Sequence, residues 1–311
     1  MNGDPQLRWM AGGVLALLAV SSVIGRLLVR LRGDNPTLRN LNARVRAWWV
    51  MVAVFGGAVW MGPVATNVLF ALISFLALRE FITLTPTRRG DHRALFWVFF
   101  VITPLNYWIL GTGWYAFWII FIPVYAFLFL AMRAALAGDC ERFLERTAKV
   151  QWGLMICVYC VSHAPALLQL DIRGYAGQNA KLLFWFVLVV QLSDVLQYVW
   201  GKTLGRHPVA PTVSPSKTAE GLVGGMLSAS AIGALLWRVT PFRPMEAAAM
   251  AFTITAMGFA GGLVASAIKR DRGVKDYGSL IEGHGGVMDR IDSLCFSAPI
   301  FFHLVRYYHT D

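Results

Sequence analysis

The chain has 311 residues, 57% hydrophobic and only 14% charged, with a formal net charge of +11 at pH 7. Soluble domains carry about 25% charged residues, so this composition, with a mean hydropathy of +0.56, excludes an ordinary soluble globule and makes a bilayer the natural solvent. No soluble stretch is long enough to build a basic nucleic-acid face. The basic excess is read instead as loop charge that fixes topology and attracts anionic headgroups.

A spanning helix needs about 20 mainly apolar residues. In chain order the candidates are 9–28, 47–62, 64–81, 94–111, 114–133, 150–169, 181–200, 221–240, 244–268 and 292–308. The expected fold is all-α: one integral-membrane domain over 1–311, a polytopic bundle of nine or ten transmembrane helices. Arg8 precedes the first apolar run, but no small-residue cleavage site follows, so 9–28 reads as a retained span. The ambiguous place is 47–81, where Gly62-Pro63 is either a turn between two short helices or a kink inside one.

The basic residues decide between these. Arg26, Arg30, Arg32, Arg39, Arg44 and Arg46 follow the first span. Arg79, Arg88, Arg89 and Arg93 form a second group, and Arg133, Arg142, Arg146 and Lys149 a third. Lys202, Arg206 and Lys217 come next, then Lys269, Arg270, Arg272, Lys275 and Arg290. The connections between these groups are nearly free of basic residues. Two spans in 47–81 put every rich loop on one side, which predicts ten spans, both termini outside and five cytoplasmic loops at the inner membrane. Trp48, Trp49, Trp97, Trp108, Trp114 and Trp200 fall near span ends, as interfacial anchors do. Cys157 and Cys160 form a CxxC inside an apolar run without further zinc ligands, so they read, like Cys140 and Cys295, as packing residues.

Ionisable residues are costly near a membrane and mark function; here they gather in the last two basic loops. Ser266, Lys269 and Arg270 share a helix face at i, i+3, i+4, and Asp289 and Asp292 at i, i+3. Gly283, Gly285 and Gly286 surround His284, so backbone can approach a ligand closely there. Paired carboxylates facing Lys and Arg suit a magnesium-bound polyphosphate: carboxylate oxygens hold the hard cation, and the cations neutralise phosphate. The earlier loop runs from Asp194, at the end of a span, through Ser214-Pro-Ser-Lys217-Thr218-Ala-Glu220-Gly221. It lacks the GxxxxGK[ST] of a P-loop. Its hydroxyls either face a triphosphate or cap a helix that begins near Glu220.

Ser266 to Asp292 resembles the signature of the phosphatidate cytidylyltransferase (CDP-diacylglycerol synthase) family: S-x-x-K-R, then K-D at Lys275-Asp276, then H-G-G-x-x-D-R-x-D from His284. Ser214 to Gly221 is similar to the family's S-P-K-K-T-x-E-G, with Ser216 replacing the first lysine. Asp194, Tyr198 and Gly201-Lys202 look like the element before it. The likeness covers roughly the last 40% of the chain, making 181–311 the expected catalytic core and 1–180 a variable set of N-terminal helices. One position departs: relatives commonly carry G-D-L before the K-R pair, and here it is Gly261-Gly262-Leu263.

The resemblance implies a nucleotidyltransferase that makes CDP-diacylglycerol and pyrophosphate from CTP and phosphatidate, with Mg2+ and room for a second cation. In that reading Asp289, Asp292, Lys269 and Ser266 are catalytic, and Asp289, Asp292 and Asp194 hold metal. Arg270, Lys275, Asp276, His284, Gly285, Gly286, Arg290, Ser214, Lys217, Thr218 and Glu220 bind substrate. Expected partners are CTP, phosphatidate or a related lipid phosphate, and membrane lipids, with a homodimer left open. Three alternatives stand beside it: a CTP-dependent enzyme acting on a polyprenol or other lipid, a transporter, and an inactive scaffold suggested by Gly262.

Overall fold

Proline opens four of the described helices, at Pro5, Pro36, Pro63 and Pro244. In a computed structural model that describes residues 5–33, 35–281, 283 and 285–310, ten helical rods follow one another. They are α1 (Pro5–Arg32), α2 (Pro36–Met61), α3 (Pro63–Thr83), α4 (Arg89–Gly111) and α5 (Tyr115–Ala135). After these come α6 (Phe143–Gln169), α7 (Asn179–Thr203), α8 (Ala219–Leu235), α9 (Pro244–Asp271) and α10 (Met288–His309). Pro36, Pro63 and Pro244 stand in the first turn of their helices, where the missing amide is no loss. A short antiparallel hairpin, β1 (Pro208–Ala210) and β2 (Ser214–Thr218), joins α7 to α8.

Among the described residues, seven of these rods are long and apolar enough to cross a membrane: α1, α3, α4, α5, α6, α7 and α9. The chain is a polytopic helical membrane protein. The other three expected segments are helices too, but α8 is shorter, while α2 and α10 carry charge in their first turns. Gly62 resolves the ambiguous pair. Its φ of 115° closes α2 and lets α3 start at once, in a region that favours glycine. Phe55 and Phe70, on either side of it, meet edge to face at 6.4 Å, so the two helices fold back on each other.

Side-chain contacts tie all five basic loops to one end of the bundle. Arg44 Nε donates to the Gly283 carbonyl, Glu80 reaches the amides at the start of α10, Arg88 pairs with Asp139, and Arg270 Nε donates to the Val213 carbonyl. At the other end Gln6 meets Lys181, the Arg173 amide donates to the His309 carbonyl, and the Tyr175 hydroxyl binds the Val239 carbonyl. Both ends of the described chain therefore lie together, opposite the basic loops, as an even number of rods requires.

The widened turn at Phe121–Ala126 contains Pro123, and those at Val98–Ile102 and Met155–Cys160 are followed by Pro104 and Pro165. A proline within a helix removes one backbone donor and pushes against the preceding turn, and local widening relieves both. Cys157 lies in the third of these turns, fully buried against Met288, and all four cysteines are free.

The last four helices form the tightest part of the bundle. On α8 the buried positions are Gly221, Gly225, Ala229 and Gly233, a stripe of small residues repeating every four. A Cβ at Gly225 would stand 2.9 Å from the Gln197 amide nitrogen, and one at Gly233 would stand 2.5 Å from the Ala251 Cβ. Close backbone approach through small residues is the means by which helices associate where lipid gives no hydrophobic drive. It sets α7, α8 and α9 side by side and fixes the recess described next.

Candidate active site

Asp194 lies nine residues before the end of α7, Gly262 nine before the end of α9, and Asp292 early in α10. At 1.5 Å per residue the first two are about 13 Å inside the helix ends. The functional groups thus meet in a recess within the bundle, with the charged loops as its rim. Ser293 Oγ donates to Asp194 Oδ1 at 2.9 Å and lies 3.5 Å from Asp292 Oδ1. One hydroxyl stands between two carboxylates, and the Ser293 amide holds Asp292 Oδ1 at 2.7 Å. Asp194 remains exposed and Asp292 half-buried, so both can be approached.

Lys217 enters this recess from β2. Its Nζ lies 5.0 Å from the centre of the Phe259 ring and only 2.5 Å from where a Cβ on Gly262 would be. Gly262 therefore leaves room for the ammonium. Burial lowers the Lys217 pKa from the ordinary lysine value, and Asp292 and Asp194 act against that shift. Arg290 interacts electrostatically with both aspartates, and its Nε has no hydrogen-bond partner among the described residues.

Asp289 is differently placed from Asp292. Its Oδ1 accepts from Lys269 Nζ at 2.8 Å; its Oδ2 accepts from the amides of Tyr277 and Gly286 at 2.8 and 3.0 Å. The side chain is almost wholly buried, and three donors already use its acceptors. A helix face shared with Asp292 does not make the two equivalent: Asp289 ties Tyr277 and Gly286 to Lys269 of α9. Tyr277 completes the tie, with its hydroxyl on the Ala265 carbonyl and its ring under Lys269 Nζ at 5.3 Å.

The remaining expected residues divide by what they touch. Ser266 Oγ donates to the Gly262 carbonyl of its own helix at 2.7 Å. Arg270 is exposed and bound to Val213; Lys275 and Asp276 are exposed on the rim. Thr218 caps α8 by accepting from the Gly221 amide, and Glu220 accepts from the Arg206 and His207 amides and the His207 ring. Helix capping is thus realised at this loop. Ser214 is buried in β2. Gly285, at φ 83°, passes so near Asp289 that a Cβ would stand 2.8 Å from its Oδ2. The expectation for His284 lies outside the described residues.

Beside the recess a cavity of about 600 Å³ opens between α2, α3, α7 and α10. Arg46, Gln191 and Arg290 line its loop end; Met51, Phe55, Phe70, Ile73 and Leu294 line its depth. From Arg46 to Phe55 it follows α2 for about 13 Å toward the middle of the bundle. Its walls are almost entirely apolar, and Arg290 belongs both to them and to the charged recess.

The oxygen donors suit Mg2+. That ion takes one or two carboxylates and leaves its other positions to water and phosphate oxygens. Asp194 and Asp292 supply two carboxylates, and no cluster of three or more acidic, His or Cys metal ligands occurs among the described residues.

A charged recess of this make-up beside a lipid-sized cavity points to nucleotide chemistry at a membrane, and residues 42–308 match the Cytidylyltransferase family. The chain belongs to that family. It is a nucleotidyltransferase. It is 42% identical to the uncharacterized protein YnbB of Escherichia coli K12, over 94% of this chain and 96% of that protein. It is 38% identical to a phosphatidate cytidylyltransferase of Aquifex aeolicus, over 44% of this chain and 52% of that enzyme. For the Bacillus subtilis phosphatidate cytidylyltransferase the identity is 33%, over 44% and 51%. The chain thus matches about half the length of these two enzymes.

Two contributors escaped the sequence reading. Ser293 follows Asp292 directly, and its adjacency to a carboxylate was a usable signal. Glu80 belongs to the N-terminal half; an acid near the end of an apolar helix was the only hint of its importance.

Proposed function

We propose that this protein transfers the cytidylyl group of CTP to phosphatidate, giving CDP-diacylglycerol and pyrophosphate. The observation that carries the reading is Arg290, which lines the apolar cavity and lies close enough to Asp194 and Asp292 to interact with both electrostatically. The cavity suits an acyl chain, and Arg290 at its mouth suits a phosphate headgroup. A lipid held this way presents its phosphate oxygen to the carboxylate recess. That oxygen attacks the α-phosphorus of CTP; the bond from the α-phosphorus to the bridging oxygen breaks; pyrophosphate leaves in line. Reactions of this kind depend on positioning and charge neutralisation. Asp194 and Asp292 are the residues that would hold Mg2+, which supplies charge neutralisation at the triphosphate. Lys217 and Arg290 bind phosphate oxygens, and Ser293 orients the carboxylates. Lys269 and Asp289 support the site by fixing the loop over it. The five basic loops face the cytoplasm, where CTP is found.

A second acceptor class, a polyprenyl or other isoprenoid phosphate, would use the same recess with a different occupant of the cavity. The test is product analysis with CTP and a panel of lipid phosphates. Phosphatidate turned over at least tenfold faster than the other acceptors supports the reading; preference for an isoprenoid phosphate replaces the lipid and leaves the recess chemistry in place.

A further inference from the structure

Glu80 stands near the end of α3, in the half of the chain that carries no catalytic motif, yet it grips the start of α10. Its Oε1 accepts from the Val287 amide and its Oε2 from the Met288 amide, both at 2.9 Å. Amides at a helix start have no partner within the helix, and a carboxylate there also meets the positive end of the helix dipole. The loop is shaped around this one side chain. A Cβ on Gly278 would lie 2.8 Å from Glu80 Oε1, and one on Gly286 would lie 2.2 Å from Oε2. Two glycines well apart in the sequence thus leave space for one carboxylate. Arg44, from α2, binds the Gly283 carbonyl of the same loop.

We propose that Glu80 is a positioning residue for the reaction: it clamps the backbone at Gly278 and Gly286 and the first turn of α10, and so sets where Arg290 and Asp292 meet substrate. It touches no reacting atom and acts through α10. Its catalytic consequence rests on the cytidylyltransfer reading above; its hold on the loop does not. Glutamine at this position offers only one acceptor oxygen, and its NH2 group would face an amide N–H. Aspartate keeps the charge but is one methylene too short to span both amides.

The experiment compares full-length parent, Glu80→Gln and Glu80→Asp in nanodiscs by amide hydrogen exchange and by kcat and KM with CTP and phosphatidate. In Glu80→Gln, exchange in 277–291 rises about tenfold while α8 stays at the parental rate. In the same variant kcat falls by about tenfold or more, with a smaller change in KM for CTP. Glu80→Asp lies between the two. Parental exchange in 277–291 overturns the clamp. An equal rise in α8 makes Glu80 a general fold residue and overturns the proposal as well. Faster local exchange with parental kcat removes the catalytic role. A parent that forms no CDP-lipid defeats the function reading, while the exchange measurement still decides whether Glu80 holds the loop.

Discussion

Two aspartates three residues apart on α10 do different work, and their substitutions separate. Asp289 is buried with Lys269 and two backbone amides. Asp289→Asn leaves that lysine uncompensated, at a cost of about 3–5 kcal/mol, and should lower the thermal midpoint in detergent. Asp292 faces the recess, so Asp292→Asn should keep the midpoint within about 2 °C while turnover drops at least about a hundredfold. Equal thermal losses in both variants would contradict the division. Lys217 carries a pH prediction. Phosphate binding needs the ammonium form, and burial lowers the pKa of this lysine. Activity should therefore fall on the alkaline side before the ordinary lysine range is reached. Lys217→Arg keeps the charge at all accessible pH and should move that limb upward; an unmoved limb in rate–pH profiles assigns it to another group. The residue types at this site were legible in the sequence, because carboxylates, lysines and glycines are expensive where they stand. Their partners were not. Shared helical spacing put Asp289 and Asp292 on one face, but only the placement of Tyr277 and Gly286 decides which of them their amides claim.

At the scale of elements, the site depends on how closely α8 approaches its neighbours. A Cβ at Gly225 would fall 2.3 Å from Gln197 Cγ and 2.9 Å from its backbone nitrogen, and backbone cannot step aside cheaply. Gly225→Ala should destabilise the protein by about 1–3 kcal/mol through overpacking, measured as a lower midpoint in detergent. Gly12→Ala, inside α1 where nothing lies within 4 Å, is the control expected to hold or slightly raise the midpoint, since alanine favours the helix. Equal behaviour of the two would deny the close packing of α7 and α8. Most rods could be read from apolar runs and from proline at their starts. The α2–α3 break needed the charge alternation as well, because Gly62-Pro63 alone permits a kink or a turn. The small-residue stripe of α8 was present in the sequence but carried no hydrophobic period, since glycine contributes almost nothing to such a pattern. The capping role of Thr218 was one of two readings left open, and the hairpin before it decided the matter by aligning Thr218 with Gly221.

Across the whole molecule, the five basic loops converge on one end, and the recess and the apolar cavity both open toward it. The charge alternation made this arrangement readable from the loops alone. The union of the two halves was not readable, because Glu80 and Arg44 reach the last basic loop from helices more than 200 positions earlier. One measurement bears most directly on the central claim that a carboxylate and lysine recess passes cytidylyl onto a lipid phosphate. Purified protein in phosphatidate vesicles is given Mg2+ and CTP labelled at either the α- or the γ-phosphorus, and the lipid fraction is analysed. Label from the α position should enter the lipid, label from the γ position should leave in pyrophosphate, and Asp292→Asn should abolish both. Label from the γ position in the lipid, or none from either position with active parent protein, would contradict the account.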